Sequence, residues 1–129
     1  GDRVQILDIC HQMNIPVQEY HPIHVQGQLV SSTLIRTLIR SGKVNEIGPY
    51  LNDSYQINGT IIRGHNRGAK IGFPTANLGY DRDKLTPGLG VYATKVKIGE
   101  RLRHGVTNVG LNPTFDETLV RPSIETFIL

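Results

Sequence analysis

The sequence predicts a mainly β chain, a small antiparallel barrel preceded by a helical segment. Three observations lead there. After Asn52 the pattern has period two: Tyr55, Ile57 and Gly59 alternate with polar residues. Tyr92, Thr94, Val96 and Ile98 likewise share one strand face, with Lys95 and Lys97 on the other. Gly99-Glu100 then separates this run from a returning run, Leu102 to Val109. Gly at the first position of a two-residue turn suits a type II′ hairpin. Before Asn52 the apolar spacing is helical, and capping residues stand at the expected places.

Taken in order, Asp2 caps a first helix with the apolar stripe Ile6, Ile9, Cys10 and Met13; Asn14 and Pro16 end it. Cys10 reads as a buried core thiol, since free cysteine is commonly buried. Val17 to Tyr20 is expected as a short strand. Ser31-Ser32-Thr33 supplies hydroxyls for a second helix start, and Leu34, Ile35, Leu38 and Ile39 form its buried stripe. Gly42 is a natural stop. A further helical turn or two is expected over Val44 to Leu51, broken or kinked by Gly48-Pro49. In the β region Gly105 marks a bulge or a tight approach. The closing run Ser123 to Leu129 alternates as a strand. The chain starts without Met and stops on that apolar strand, so it reads as a piece of a longer protein. An exposed final edge favours self-association.

Composition narrows the function classes. At 129 residues the chain suits one ordinary domain and is too short for two full ones. Its 38% hydrophobic and 19% charged residues describe a globular chain rather than a disordered one. A formal charge of +3 suits an anionic small ligand as well as nucleic acid. Trp is absent, and five Tyr and three Phe supply few platforms for stacking bases, which argues against a nucleic-acid partner. A single cysteine excludes an internal disulfide. The five histidines His11, His21, His24, His65 and His104 form no metal-spaced pair. No apolar run approaches the roughly 20 residues of a membrane span, and no signal peptide is visible, so a cytoplasmic chain without a membrane partner is expected.

The densest chemistry lies between Gly64 and Asn77. Gly64, Arg67, Gly68, Lys70 and Gly72 make a cationic, glycine-rich loop whose backbone N–H groups can cradle phosphate. It superficially resembles a Walker-type loop, but Ala69 and Ile71 stand where that loop needs Gly and Ser or Thr. The bland alternative is a mobile hairpin loop. Thr75 and Asn77 are two apart, so extended backbone turns both to one side. A hydroxyl and an amide oxygen side by side suit Mg²⁺; they suit a hydrogen-bonded turn equally well.

Gly72-Phe73-Pro74-Thr75-Ala76-Asn77 resembles the signature of the riboflavin kinases. Gly90-Val91-Tyr92-Ala93, Gly105 to Gly110, Asn112 to Phe115 and Ile124 to Leu129 are similar to further motifs of that family, in the same order and spacing. Upstream, Ser31-Ser32-Thr33-Leu34-Ile35-Arg36 resembles a motif of the FMN adenylyltransferase module, which precedes the kinase in bifunctional bacterial FAD synthetases.

The resemblance implies a Greek-key barrel of riboflavin kinase type over residues 53–129, C-terminally incomplete. It implies that residues 1–52 are the end of an α/β nucleotidyltransferase domain. The implied activity is Mg²⁺-dependent phosphoryl transfer from ATP to riboflavin, giving FMN and ADP. FAD formation is expected only in a full-length parent, because the family's histidine-bearing nucleotide loop does not occur here. The resemblance implies Glu125 as the catalytic carboxylate, and Gly64, Arg67, Gly68, Lys70, Gly72, Thr75 and Asn77 around ATP. Thr75 and Asn77 would hold the metal, and Asn108 and Phe115 would meet the flavin. It implies Ser31, Ser32, Thr33 and Arg36 as the remnant of the adenylyltransferase motif, whose bland reading is a helix cap. From the residues alone Glu125 could equally be a solvated strand Glu; Asp81, Asp83, Asp116 and Glu117 sit in loop-like stretches. The rival reading is a non-catalytic small barrel that binds nucleotide or RNA.

Overall fold

The computed structural model describes residues 2–63, 75–111 and 121–129. The chain forms two compact units, Gly1–Val30 and Ser31–Leu129.

In the first unit helix α1 spans Arg3–Gln12. Asp2 caps it reciprocally with Gln5: each side chain accepts the other's backbone N–H, at 3.0 and 3.3 Å. The expected buried stripe is not buried. Ile6, Ile9 and Met13 are exposed, and Cys10 is only half-buried rather than a core thiol. A unit of thirty residues encloses too little volume to cover one side of a helix. Val17 to Tyr20 forms no strand. A two-residue pair instead joins β1 (His24–Val25) to β2 (Gln28–Leu29). Gln26 and Gly27 between them both have positive φ, 53° and 77°, the signature of a type I′ turn.

The second unit opens with α2, Ser32–Arg40, whose N-cap Ser31 accepts the Leu34 N–H at 3.2 Å. Leu38 and Ile39 are buried as expected. Gly42, at φ +77°, ends the helix. A 3₁₀ turn over Val44–Glu46 precedes α3, Gly48–Leu51. Pro49 therefore does not interrupt a helix. It lies in the first turn of one, where a missing N–H costs nothing, and the break falls at Ile47 before it. Ile47 is fully buried, and with Leu38 and Ile39 it forms a core against which Leu34, Tyr50, Tyr55 and Leu85 pack.

Five antiparallel strands follow: β3 (Gly59–Ile62), β4 (Ala76–Tyr80), β5 (Gly90–Ile98), β6 (Arg101–Leu111) and β7 (Pro122–Ile128). Their spatial order is β3-β4-β7-β6-β5. The consecutive strands β5, β6 and β7 lie side by side, a long connection runs from β4 to β5, and β4 pairs with β7, which is a Greek-key arrangement. Among the described residues the sheet stays open, with β3 and β5 at its edges. The β5–β6 hairpin turns on Gly99 (φ +56°) and Glu100, as predicted. Gly105 makes the tight approach and no bulge: its pairing with Thr94 is regular. A Cβ there would lie 2.9 Å from the Phe127 carbonyl oxygen and 3.1 Å from Val96. One sheet face buries Val109, Ile124 and Thr107; alternation turns Asn108 and Glu125 to the other. No described helix is long and apolar enough to cross a membrane.

Candidate active site

Strand register assembles the site. Glu125 on β7 pairs with Asn77 on β4 and, on its other side, with Asn108 on β6. Residues directly opposite in antiparallel strands project to the same face. A carboxylate is thus flanked by two amides in one row across three strands. With strands about 4.8 Å apart, the row is roughly 10 Å wide. Asn77 and Glu125 are half-buried and Asn108 is exposed. Phe127 lies two residues along β7 from Glu125, on the same face, so apolar surface borders the carboxylate. Thr75, half-buried, immediately precedes β4.

The other expected residues divide. Gly64, Arg67, Gly68, Lys70, Gly72 and Phe115 lie outside the described residues. Ser31 caps α2, Ser32 and Thr33 form its exposed first turn, and the Arg36 guanidinium donates to Ser32 Oγ at 3.1 Å. The helix-cap reading of this motif therefore holds as geometry. Asp81 is occupied otherwise: its carboxylate accepts the Asp83 N–H at 2.9 Å in a local turn. No cluster of three or more His, Cys, Asp or Glu that could hold a metal occurs among the described residues.

Beneath the row, on the core face, three hydroxyls form a chain across β5, β6 and β7. Thr94 and Thr107 lie 2.9 Å apart, and Thr107 and Thr126 lie 2.8 Å apart. The Thr94 hydroxyl donates to the Gly105 carbonyl at 3.2 Å. Thr107 and Thr126 are the chain neighbours of Asn108 and Glu125. The ladder thus fixes the register that sets the row, since a one-residue slip would turn every side chain to the opposite face.

Sequence reasoning missed a cationic cleft at one end of β4 and β7. It is lined by Arg36, Arg40, Arg82, Lys84 and Arg121, with Tyr80 at its base. The i, i+4 spacing of Arg36 and Arg40 on α2 was its one local signal.

Fold and site together define a small Greek-key antiparallel protein with a carboxylate–amide row on one sheet face. Residues 51–129 match the riboflavin kinase family, and the chain belongs to that family. Over 101 residues it is 42% identical to a bifunctional riboflavin kinase/FMN adenylyltransferase of Bacillus subtilis, covering 78% of this chain and 32% of that protein. Over 102 residues it is 43% identical to the protein of the same description from Listeria monocytogenes, again 78% and 32%. The crystal structure of a macrolide-efflux protein from Streptococcus pneumoniae superposes with a TM-score of 0.76 at 34% identity, over 84% of this chain and 35% of that one. The chain thus spans about one third of the length of these relatives.

Proposed function

We propose that this chain transfers the γ-phosphoryl group of ATP to the terminal ribityl hydroxyl of riboflavin, giving FMN and ADP. The observation that carries the reading is the register that sets Glu125 between Asn77 and Asn108. The family match over residues 51–129 supplies the reaction class.

A primary hydroxyl is a poor nucleophile at neutral pH. A carboxylate within hydrogen-bond reach accepts its proton as the new O–P bond forms. Glu125 takes that role. Half-burial beside Phe127 limits competing water, and an amide on either side can orient the hydroxyl and the phosphoryl oxygens. Asn108 lies on the β5–β6 side of the base, the side assigned to the flavin with Phe115. Asn77 and Thr75 lie on the side assigned to ATP with the loop residues Gly64, Arg67, Gly68, Lys70 and Gly72.

The donors fit a magnesium ion. Thr75 and Asn77 offer hard oxygens, and Mg²⁺ typically takes one or two protein oxygens, phosphate oxygens and water rather than a full protein cage. When bound, the ion would neutralise charge on the β- and γ-phosphates. The protein's own contribution is positioning, which supplies most of the catalysis in phosphoryl transfer. The names of the relatives also include FMN adenylyltransferase. We read residues 1–52 as the end of that module, with Ser31 to Arg36 as its motif; α2, which carries the motif, packs with Leu85 in the second unit.

The test is direct. Chain incubated with ATP, Mg²⁺ and riboflavin should form FMN, read by separation of the two flavins. A folded chain that binds ATP and forms none would support the non-catalytic barrel instead.

A further inference from the structure

The cleft missed by sequence reasoning carries an inference that stands apart from the kinase reading. It is an open cleft of about 400 Å³ between α2, the turn after β4 and the start of β7. Five cations, Arg36, Arg40, Arg82, Lys84 and Arg121, face one carboxylate, Asp83. The cleft's formal charge of +4 therefore exceeds the +3 of the whole chain. Packing like charges together is unfavourable. Here Arg121 and Lys84 are held by groups other than anions. The Arg121 guanidinium donates to the Asp81 carbonyl at 2.9 Å and lies 4.6 Å from the centre of the Tyr80 ring. Tyr80 is itself fixed, donating to the Pro122 carbonyl at 2.6 Å. Lys84 stands 4.5 Å over the Tyr55 ring, and Tyr55 donates to the Leu85 carbonyl at 2.6 Å. The ion pairs seen among the described residues, Arg3 with Glu19 and Lys43 with Glu46, use none of the five.

We propose that this cleft binds the polyphosphate group of a small molecule, through Arg40, Arg82, Lys84 and Arg121. Cations on three separate segments surround one concave volume, so they can meet several anionic groups at once. Arginine forks match phosphate oxygens in paired hydrogen bonds. A concave pocket in a chain poor in aromatic residues suits a compact anion better than a nucleic-acid strand. The site is distinct from the row. Tyr80 and Pro122 are each three residues along their strands from Asn77 and Glu125, roughly 10 Å at the usual strand rise.

Titration calorimetry with sodium tripolyphosphate tests this on the unmodified chain, with sulfate at matched ionic strength for comparison. Tripolyphosphate should bind at least about tenfold more tightly than sulfate and weaken as salt rises. Arg82→Gln/Lys84→Gln, its fold checked by circular dichroism, should weaken binding roughly tenfold or more. Lys97→Gln/Arg101→Gln, which removes the same charge at the exposed β5–β6 hairpin, should retain it. Equal affinity for sulfate would overturn the proposal on the unmodified chain alone. So would unchanged affinity in Arg82→Gln/Lys84→Gln, an equal loss in Lys97→Gln/Arg101→Gln, or a polyglutamate peptide binding as tightly as tripolyphosphate.

Discussion

Thr107→Val offers a sharp perturbation of the register beneath the row. Thr107 is 7% exposed, at the middle of β6, and its hydroxyl joins those of Thr94 and Thr126. The Gly105 carbonyl can only accept, so the chain of donors runs from Thr126 to Thr107 to Thr94 to that carbonyl. Valine keeps the shape and deletes the middle hydroxyl. Two hydrogen bonds are lost, each worth about 0.5–1.5 kcal/mol net, and the Thr126 donor is left without its partner, a cost of about 1–3 kcal/mol. The added methyl returns up to about 1 kcal/mol. The net expectation is a loss of about 2–3 kcal/mol, measured as a lower midpoint at unchanged slope in guanidinium unfolding. Replacing all three threonines by valine removes donors and acceptors together, a change that can be nearly neutral. The triple variant should therefore be more stable than Thr107→Val alone. A single variant within 0.5 kcal/mol of the parent, or a triple variant that loses the sum of three single changes, would refute the ladder as described.

Other outcomes follow from the same geometry. Glu125→Gln keeps size and loses basicity; FMN formation should fall about 10²–10⁴-fold while ATP binding, followed by calorimetry, persists. Thr75→Val removes one oxygen and should leave nucleotide affinity much less dependent on magnesium, as a titration with and without the ion would report. Burial holds the Tyr55 phenol above its ordinary value of 10.0, which favours the protonated donor in the folded chain. Its contribution is thus complete below pH ~10 and is lost as pH rises through the folded value. Tyr55→Phe should cost about 1 kcal/mol at neutral pH and flatten the decline in stability above pH 10, measured by unfolding at a series of pH values.

What was legible in the sequence depended on the distance over which each feature is decided. The α2 cap at Ser31, the stop at Gly42 and the Gly99-Glu100 hairpin are decided within a few residues, and the structure places each where the pattern did. The apolar residues of α1 follow a helical spacing equally well, yet they are exposed, because burial depends on what the rest of the unit can supply. Val17 to Tyr20 has strand-like residues and pairs with no strand among the described residues. For the site, motif resemblance pointed to Asn77, Asn108 and Glu125 singly. That β7 inserts between β4 and β6, and so lines the three up, is a long-range pairing that no local period encodes. The cationic cleft was less legible still: Arg40, Lys84 and Arg121 are far apart in the chain, and each alone resembles an ordinary solvated charge.

The junction of helix and sheet explains why that cleft exists as a shaped site. The Gly88 N–H donates to the Ile39 carbonyl at 3.0 Å, tying the connection before β5 to the last turn of α2. The Tyr92 hydroxyl on β5 donates to the Gly88 carbonyl, so the same glycine is held from both sides. A Cβ at Gly88 would stand 2.5 Å from the Arg40 carbonyl oxygen, and one at Gly42 would stand 2.8 Å from the Tyr92 hydroxyl. Backbone approach this close requires glycine at position 88, and the left-handed φ of +77° favours it at position 42. The connection carrying Arg82 and Lys84 is thereby held at its far end by α2 and at its near end by β4. Arg40 sits on the helical turn that Gly88 grips. Cations from α2 and from this connection are fixed to one frame, and that frame also carries β4 with Asn77. A helix whose motif resembles that of a neighbouring module is thus built into the packing of the same unit as the sheet, and the charges it brings become part of the sheet's own surface.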